Sequence, residues 1–107
     1  MMFTRSAMFV GHIHEGRENE FWSIVEAELL PVWRKMPGAL TVRLFKPQRI
    51  EEGLPDLVLV QEIDYASAEA VAEAERSPVR AEGAPVVAKL MTLFDGQLHH
   101  VVYQRVL

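Results

Sequence analysis

Short stretches in which apolar and polar residues alternate are each followed by punctuated loops or by longer stretches with apolar residues three and four positions apart. In the first, Phe9, Gly11 and Ile13 fall on one side and Met8, Val10, His12 and His14 on the other, which predicts a strand over 7–14. Leu40, Val42 and Leu44 alternate with Thr41, Arg43 and Phe45 in the same way, within a strand expected over 39–46. Two more strands are predicted over 57–64 and 97–106. Between the first two strands, Phe21, Trp22, Val25, Leu29, Val32, Trp33 and Met36 make one wide apolar stripe, and a helix over 17–36 follows. Pro31 lies in that stripe and removes a backbone hydrogen bond, so a kink or restart is expected near Leu30.

The second helical region, over 67–94, reads as a series of pieces. Ser67 is the expected N-cap of a helix over 68–76, and Ser77 before Pro78 is a second cap with proline at the first helical position. Gly83 and Pro85 are expected to interrupt that segment before a last apolar stripe of Val87, Leu90, Met91 and Phe94. Asp95-Gly96 reads as the turn into the last strand, and the loop over 47–55 as a solvated hairpin.

The resulting order, β-α-β-β-α-β, is two split β-α-β units. It points to an α+β ferredoxin-like sandwich: a four-stranded antiparallel sheet in the order 4-1-3-2, with helices on one face. A chain of 107 residues, half of them hydrophobic, suffices for one core, so residues 1–107 are expected to form a single domain. The other sheet face, about 450 Å² of mixed surface including Met8, Val10 and Phe45, is as large as the biggest apolar patch a monomer usually exposes. A homodimer packed through that face is the expectation.

Composition narrows the partners. Eleven Lys and Arg against fifteen Asp and Glu give a net charge of −4 with no basic run, which argues against nucleic acid. There are no cysteines, which excludes disulfides, thiolate metal sites and iron-sulfur clusters. The apolar run at Ala7 to Val10 is too short for a signal core or a membrane span, so a cytoplasmic protein without a membrane partner is expected.

The candidate chemistry lies on the mixed face. His12 and His14 are the candidate catalytic residues, since an imidazole titrates near neutrality. His99 or His100 is expected to approach His14, which would bring three imidazoles to one end of the sheet. A metal site is not assigned to them, because no carboxylate or cysteine stands at ligand spacing. Val10, Arg43, Phe45 and Tyr103 are the candidate ligand-binding residues; Arg43 either holds an acidic or enolate-like molecule or pairs with Glu62 or Asp64 across the strands. In the last strand, His99, Val101, Tyr103 and Arg105 are preferred over His100, Val102 and Gln104 as the face toward a cavity, because Leu98, Val102 and Val106 suit the helix-covered side.

Three stretches resemble the EthD-like family of dimeric α/β-barrel proteins, relatives of small cofactor-free monooxygenases and haem-degrading enzymes. They are Glu20-Phe21, Leu30-Pro31 and Met36-Pro37-Gly38 in the first helix; Glu62-Ile63-Asp64-Tyr65-Ala66-Ser67 with the later Ser77-Pro78; and Phe94-Asp95. Leu30 stands where the family commonly has a histidine, so chemistry assigned to that histidine does not carry over. The resemblance implies a dimeric barrel binding a small apolar or aromatic organic molecule between sheet and helices, with no cofactor. Two alternatives stay open: a cofactor-independent monooxygenase or isomerase using a cavity histidine as base, and a structural or stress-related dimer without a ligand.

Overall fold

A computed structural model describes all residues, 1–107. Along the chain run β1 (Phe3–Ile13), α1 (Glu18–Ile24), a π-helical turn (Val25–Leu29), α2 (Leu30–Arg34), β2 (Thr41–Phe45), β3 (Leu57–Tyr65), α3 (Ala68–Arg76), α4 (Pro78–Met91) and β4 (Phe94–Gln104). The sheet order is β2-β3-β1-β4 with every neighbouring pair antiparallel, which is the ferredoxin-like arrangement. No helix is long and apolar enough to cross a membrane.

The first helix restarts at the expected place, by a specific device. The Leu30 amide reaches back to the carbonyl of Val25, one residue further than in an α-helix, and Pro31 then falls in the first turn of α2. A π-turn moves the ladder by one step, so the missing proline N–H leaves a smaller defect. Ser67 Oγ accepts from the Ala70 amide and Ser77 Oγ from the Val79 amide, both at 3.1 Å, so both predicted caps exist.

Two local expectations are corrected. Gly83 and Pro85 do not interrupt α4, which is continuous from Pro78 to Met91. Gly83 is buried against the first helical region, where a Cβ would stand in ordinary contact, 3.6 Å from Leu29 Cδ1 and Val32 Cγ1, and packing of Val86, Val87 and Leu90 holds the helix together past the exposed proline. Asp95-Gly96 is not a turn but part of β4, with Gly96 directly opposite Gly11 of β1. The two backbones approach so closely there that a Cβ on Gly11 would lie 2.0 Å from the Asp95 carbonyl oxygen. The chain turns earlier, through Thr92 and Leu93, whose amides bond back to Lys89 and Leu90.

Residues opposite one another in an antiparallel sheet share a face. Ala7 and Phe9 of β1, Leu59, Gln61 and Ile63 of β3, and Leu98 and His100 of β4 therefore lie under the helices. The core beneath them is in two parts. Phe9, Phe21, Ile24, Val25, Leu29, Leu59, Leu90, Leu93 and Phe94 form the larger cluster, and Phe9 and Phe21 meet edge to face at 6.1 Å. Ile63, Tyr65, Val71 and Ala74 form the smaller one under α3, and Trp33 packs against both.

Gly11→Ala is expected to lower unfolding free energy by about 3 kcal/mol or more, because backbone must move apart. Gly16→Ala, where the backbone is also left-handed but nothing lies within 4 Å, should cost only about 1 kcal/mol. Urea denaturation of both variants measures the contrast, and equal losses would mean that the strands separate freely at Gly11.

Candidate functional site

A cavity of about 490 Å³ occupies the seam between the two core clusters. Phe9 and Ile63 of the sheet, Leu29 and Trp33 of the first helical region, Val87 of α4 and Leu98 of β4 supply apolar walls. Seven groups break that surface: Arg5, Gln61, Tyr65, Glu75, the capping Ser77, Arg80 and His100. Its size falls within the roughly 300–1,000 Å³ typical of small-molecule sites, and its make-up, apolar with a few polar groups, is also that of such sites.

Each polar group has a distinct state. Arg5 Nε donates to Glu75 Oε2 at 3.0 Å, tying β1 to α3, and the exposed Arg80 donates through Nη1 to the Glu75 carbonyl at 3.3 Å. Gln61 Oε1 and the Tyr65 hydroxyl are buried and have no partner within the protein. Buried polar groups without partners are rare, because each forfeits its hydration. Burial raises the Tyr65 phenol above its usual 10, so it stays protonated. His100, on edge strand β4, keeps one side in solvent. Desolvation against the protein, then the positive charges of Arg5 and Arg80, push its imidazole down to about 4, so it is neutral near pH 7.

The opposite face carries ordered rows across all four strands. Phe45, Val60, Met8 and His99 stand in register in one, Arg43, Glu62, Ser6 and Val101 in the next, and Asp64, Thr4 and Tyr103, flanked by Thr41, in a third. Arg43 is paired with both carboxylates of β3: its Nη1 and Nη2 donate to Asp64 at 2.7 and 2.8 Å, and its Nε and Nη2 donate to Glu62 Oε1 at 3.2 and 3.1 Å. Thr4 Oγ1 donates to the same Asp64 at 2.7 Å. These bonds, the Arg43 contact first, hold the Asp64 carboxyl below its ordinary 3.8. Of the two roles open to Arg43, the cross-strand ion pair is the one realised in the single chain.

The candidate residues read from sequence are thus dispersed. Val10 and Phe45 lie on the open face, Arg43 and Tyr103 beside the charged network, and none lines the cavity under the helices. His12 and His14 stand at one end of the sheet, where His12 Nδ1 is 3.2 Å from Asp56 and His14 Nε2 3.0 Å from Asp95. The expected approach of a strand-four histidine to His14 is corrected: His99 and His100 pair in register with Met8 and Ala7, well inside the sheet. The last strand turns as preferred, with Leu98 toward the helices, but the cavity is on that side, so His100 lines it and His99 does not. Gln61 and Tyr65 were legible in principle, as polar groups in a register whose other members, Leu59 and Ile63, are apolar.

No family model matches the sequence, and no curated protein matches it. Solved structures do match over nearly the whole chain. An ethyl tert-butyl ether D (EthD) family protein from Bacillus halodurans is 19% identical with a TM-score of 0.73, over 98% of this chain and 99% of its own. SnoaB, a cofactor-independent oxygenase from Streptomyces nogalater, is 19% identical with a TM-score of 0.68, over 99% and 94%. A dimeric protein of ferredoxin-like fold from Bacteroides fragilis is 9% identical with a TM-score of 0.65, over 97% and 96%. At these identities the likeness establishes the fold.

Asp64→Asn is expected to cost about 2 kcal/mol near neutral pH, where it leaves Arg43 without its bidentate partner at a half-screened site. Because the folded pKa of Asp64 is depressed, its contribution is complete above 3.8 and is lost as pH falls through the lower folded value. The gap between variant and parent should therefore narrow in acid. Urea titrations on both sides of that value check this, and a constant gap would place the loss elsewhere.

Proposed function

We propose that this chain is a homodimeric, EthD-like protein that holds a small apolar or aromatic organic molecule in the cavity between sheet and helices. The observation that carries the reading is the 490 Å³ cavity itself, which divides the core and is lined by Trp33, Leu29, Val87 and Leu98 beside unpartnered polar groups. A protein that needed only stability would gain from closing that seam, since the apolar walls lining it stay in contact with water. Selection for a ligand explains why it stays open.

Dimerisation accounts for the other face. Two open faces supply about 900 Å², short of the roughly 1,200 Å² of a stable interface, so neighbouring segments must add to them. Exposed Phe45, Tyr103, Val106 and Leu107 are the apolar surface available for that contact. The Bacteroides fragilis protein, similar in fold, is described as dimeric.

A second reading is a cofactor-independent oxygenase or isomerase, favoured by the likeness to SnoaB. It needs a base that takes a proton from the bound molecule, with molecular oxygen as oxidant in the oxygenase case. His100 is the histidine at the cavity, yet a base whose conjugate acid titrates near 4 is poorly matched to neutral pH. His12 and His14 would serve only if a molecule also reached the strand end that they occupy. Binding without turnover therefore fits the geometry better, and oxygen uptake abolished by His100→Gln, His12→Gln or His14→Gln would reverse that preference.

Native mass spectrometry of the protein purified from its own host tests the leading reading. The expected spectrum is a dimer carrying an organic adduct that is lost on denaturation. Ala84→Trp, which fills the cavity from an exposed position on α4, should remove the adduct and leave the dimer. An adduct retained in Ala84→Trp would place the ligand outside the cavity, and a bare protein in both would favour the structural alternative.

A further inference from the structure

We infer that the cavity selects an uncharged ring compound bearing a free hydroxyl group, with that hydroxyl seated between Gln61 and His100. This rests on the reading that the cavity holds an organic molecule, and it adds the chemical feature by which that molecule is chosen. Gln61 of β3, Ala7 of β1 and His100 of β4 stand side by side in one cross-strand row, and all three line the cavity. With strands about 4.8 Å apart, the outer two Cα atoms are roughly 10 Å from each other. Only the methyl group of Ala7 lies between them in the row, so two longer side chains border the cavity on either side of a small residue.

The hydrogen-bonding needs of the two ends are complementary to a hydroxyl. Gln61 is 2% exposed and its Oε1 lacks a partner within the protein, so it is an acceptor in need of a donor. A neutral imidazole offers one N–H donor and one acceptor nitrogen. One hydroxyl gives its hydrogen to Gln61 and accepts the N–H of His100. An ether or ketone supplies no hydrogen and leaves the Gln61 Oε1 acceptor unpaired; a hydrocarbon satisfies neither end.

A cation is repelled by Arg5 and Arg80, and an acid finds no free partner at the cavity floor. The cation nearest the floor, Arg5, is already engaged by Glu75 at 3.0 Å, and Arg80 is exposed at the rim. No unengaged buried cation is therefore available to balance an acid, while Phe9, Leu29, Ile63, Val87 and Leu98 suit rings. Phenols and cyclic alcohols meet these conditions.

Trp33 lines the cavity and provides the reporter. Nitrogen-proton correlation spectra of the whole chain, titrated with indane, indanol and methoxyindane, compare three probes that share one ring body and differ at one substituent. Indanol is expected to bind at least about tenfold more tightly than either of the others, as read from the Trp33 indole signal. Gln61→Leu and His100→Phe should each shrink that preference to less than about threefold without weakening indane. Equal affinities for all three probes, or a preference that survives both substitutions, would overturn the hydroxyl seat while leaving the cavity reading intact. Failure of every probe to move Trp33 would remove both. Gln61→Leu deletes an unpartnered buried acceptor and is expected to fold; should either variant not fold, the ranking on the parent protein decides alone.

Discussion

A four-stranded sheet has two faces, and the one layer of helices in this chain can cover only one of them. Every functional feature follows from how the two faces meet that constraint. On the covered side, α3 and α4 are separate helices set at Ser77, and the first helical region is split by its π-turn, so the covering layer packs into two clusters with a seam between them. On the uncovered side the surface is made tolerable by charge: Arg43, Glu62, Asp64 and Thr4 satisfy one another across β1, β2 and β3. That face thus joins a satisfied charged network to an apolar row of Met8, Val60 and Phe45, the mixture expected of a surface that a second copy would cover on the proposed reading.

The architecture was readable because it depends on periodicity. Alternation in β1 and β2, the helical stripe from Phe21 to Met36 and the caps at Ser67 and Ser77 each leave a local mark, and together they yield the observed strand order. The misreadings involve residues whose role is set by distant neighbours. Gly83 and Pro85 look like a break in sequence, yet Gly83 lies buried against Leu29 and Val32 of another helical segment and the helix runs on through both. Asp95-Gly96 looks like a turn, yet Gly96 exists to let β4 touch β1 at Gly11.

The site was less legible than the fold for a related reason. Sequence alternation shows which residues share a face but not which face retains a cavity, and the polar side with His12, His14, Arg43 and Tyr103 is the more conspicuous in sequence. The space lies on the apolar side, where three central polar groups, Gln61, Tyr65 and His100, are widely spaced in sequence and look like minor lapses in the pattern. Only the register between β3, β1 and β4 brings Gln61 and His100 to either side of Ala7. The EthD-like resemblance, and the structural likeness to proteins under 25% identical, agree on the architecture and leave the chemistry to these side chains.

On the function proposed above, the two faces have different tasks: one would hold a molecule, the other a second copy of the chain. Sedimentation equilibrium across micromolar concentrations tests that division most directly. The account predicts a species of twice the chain mass that Met8→Arg, placed on the uncovered face, converts to a folded single chain. A parent protein that sediments as a monomer throughout, with its open face in solvent, would contradict it.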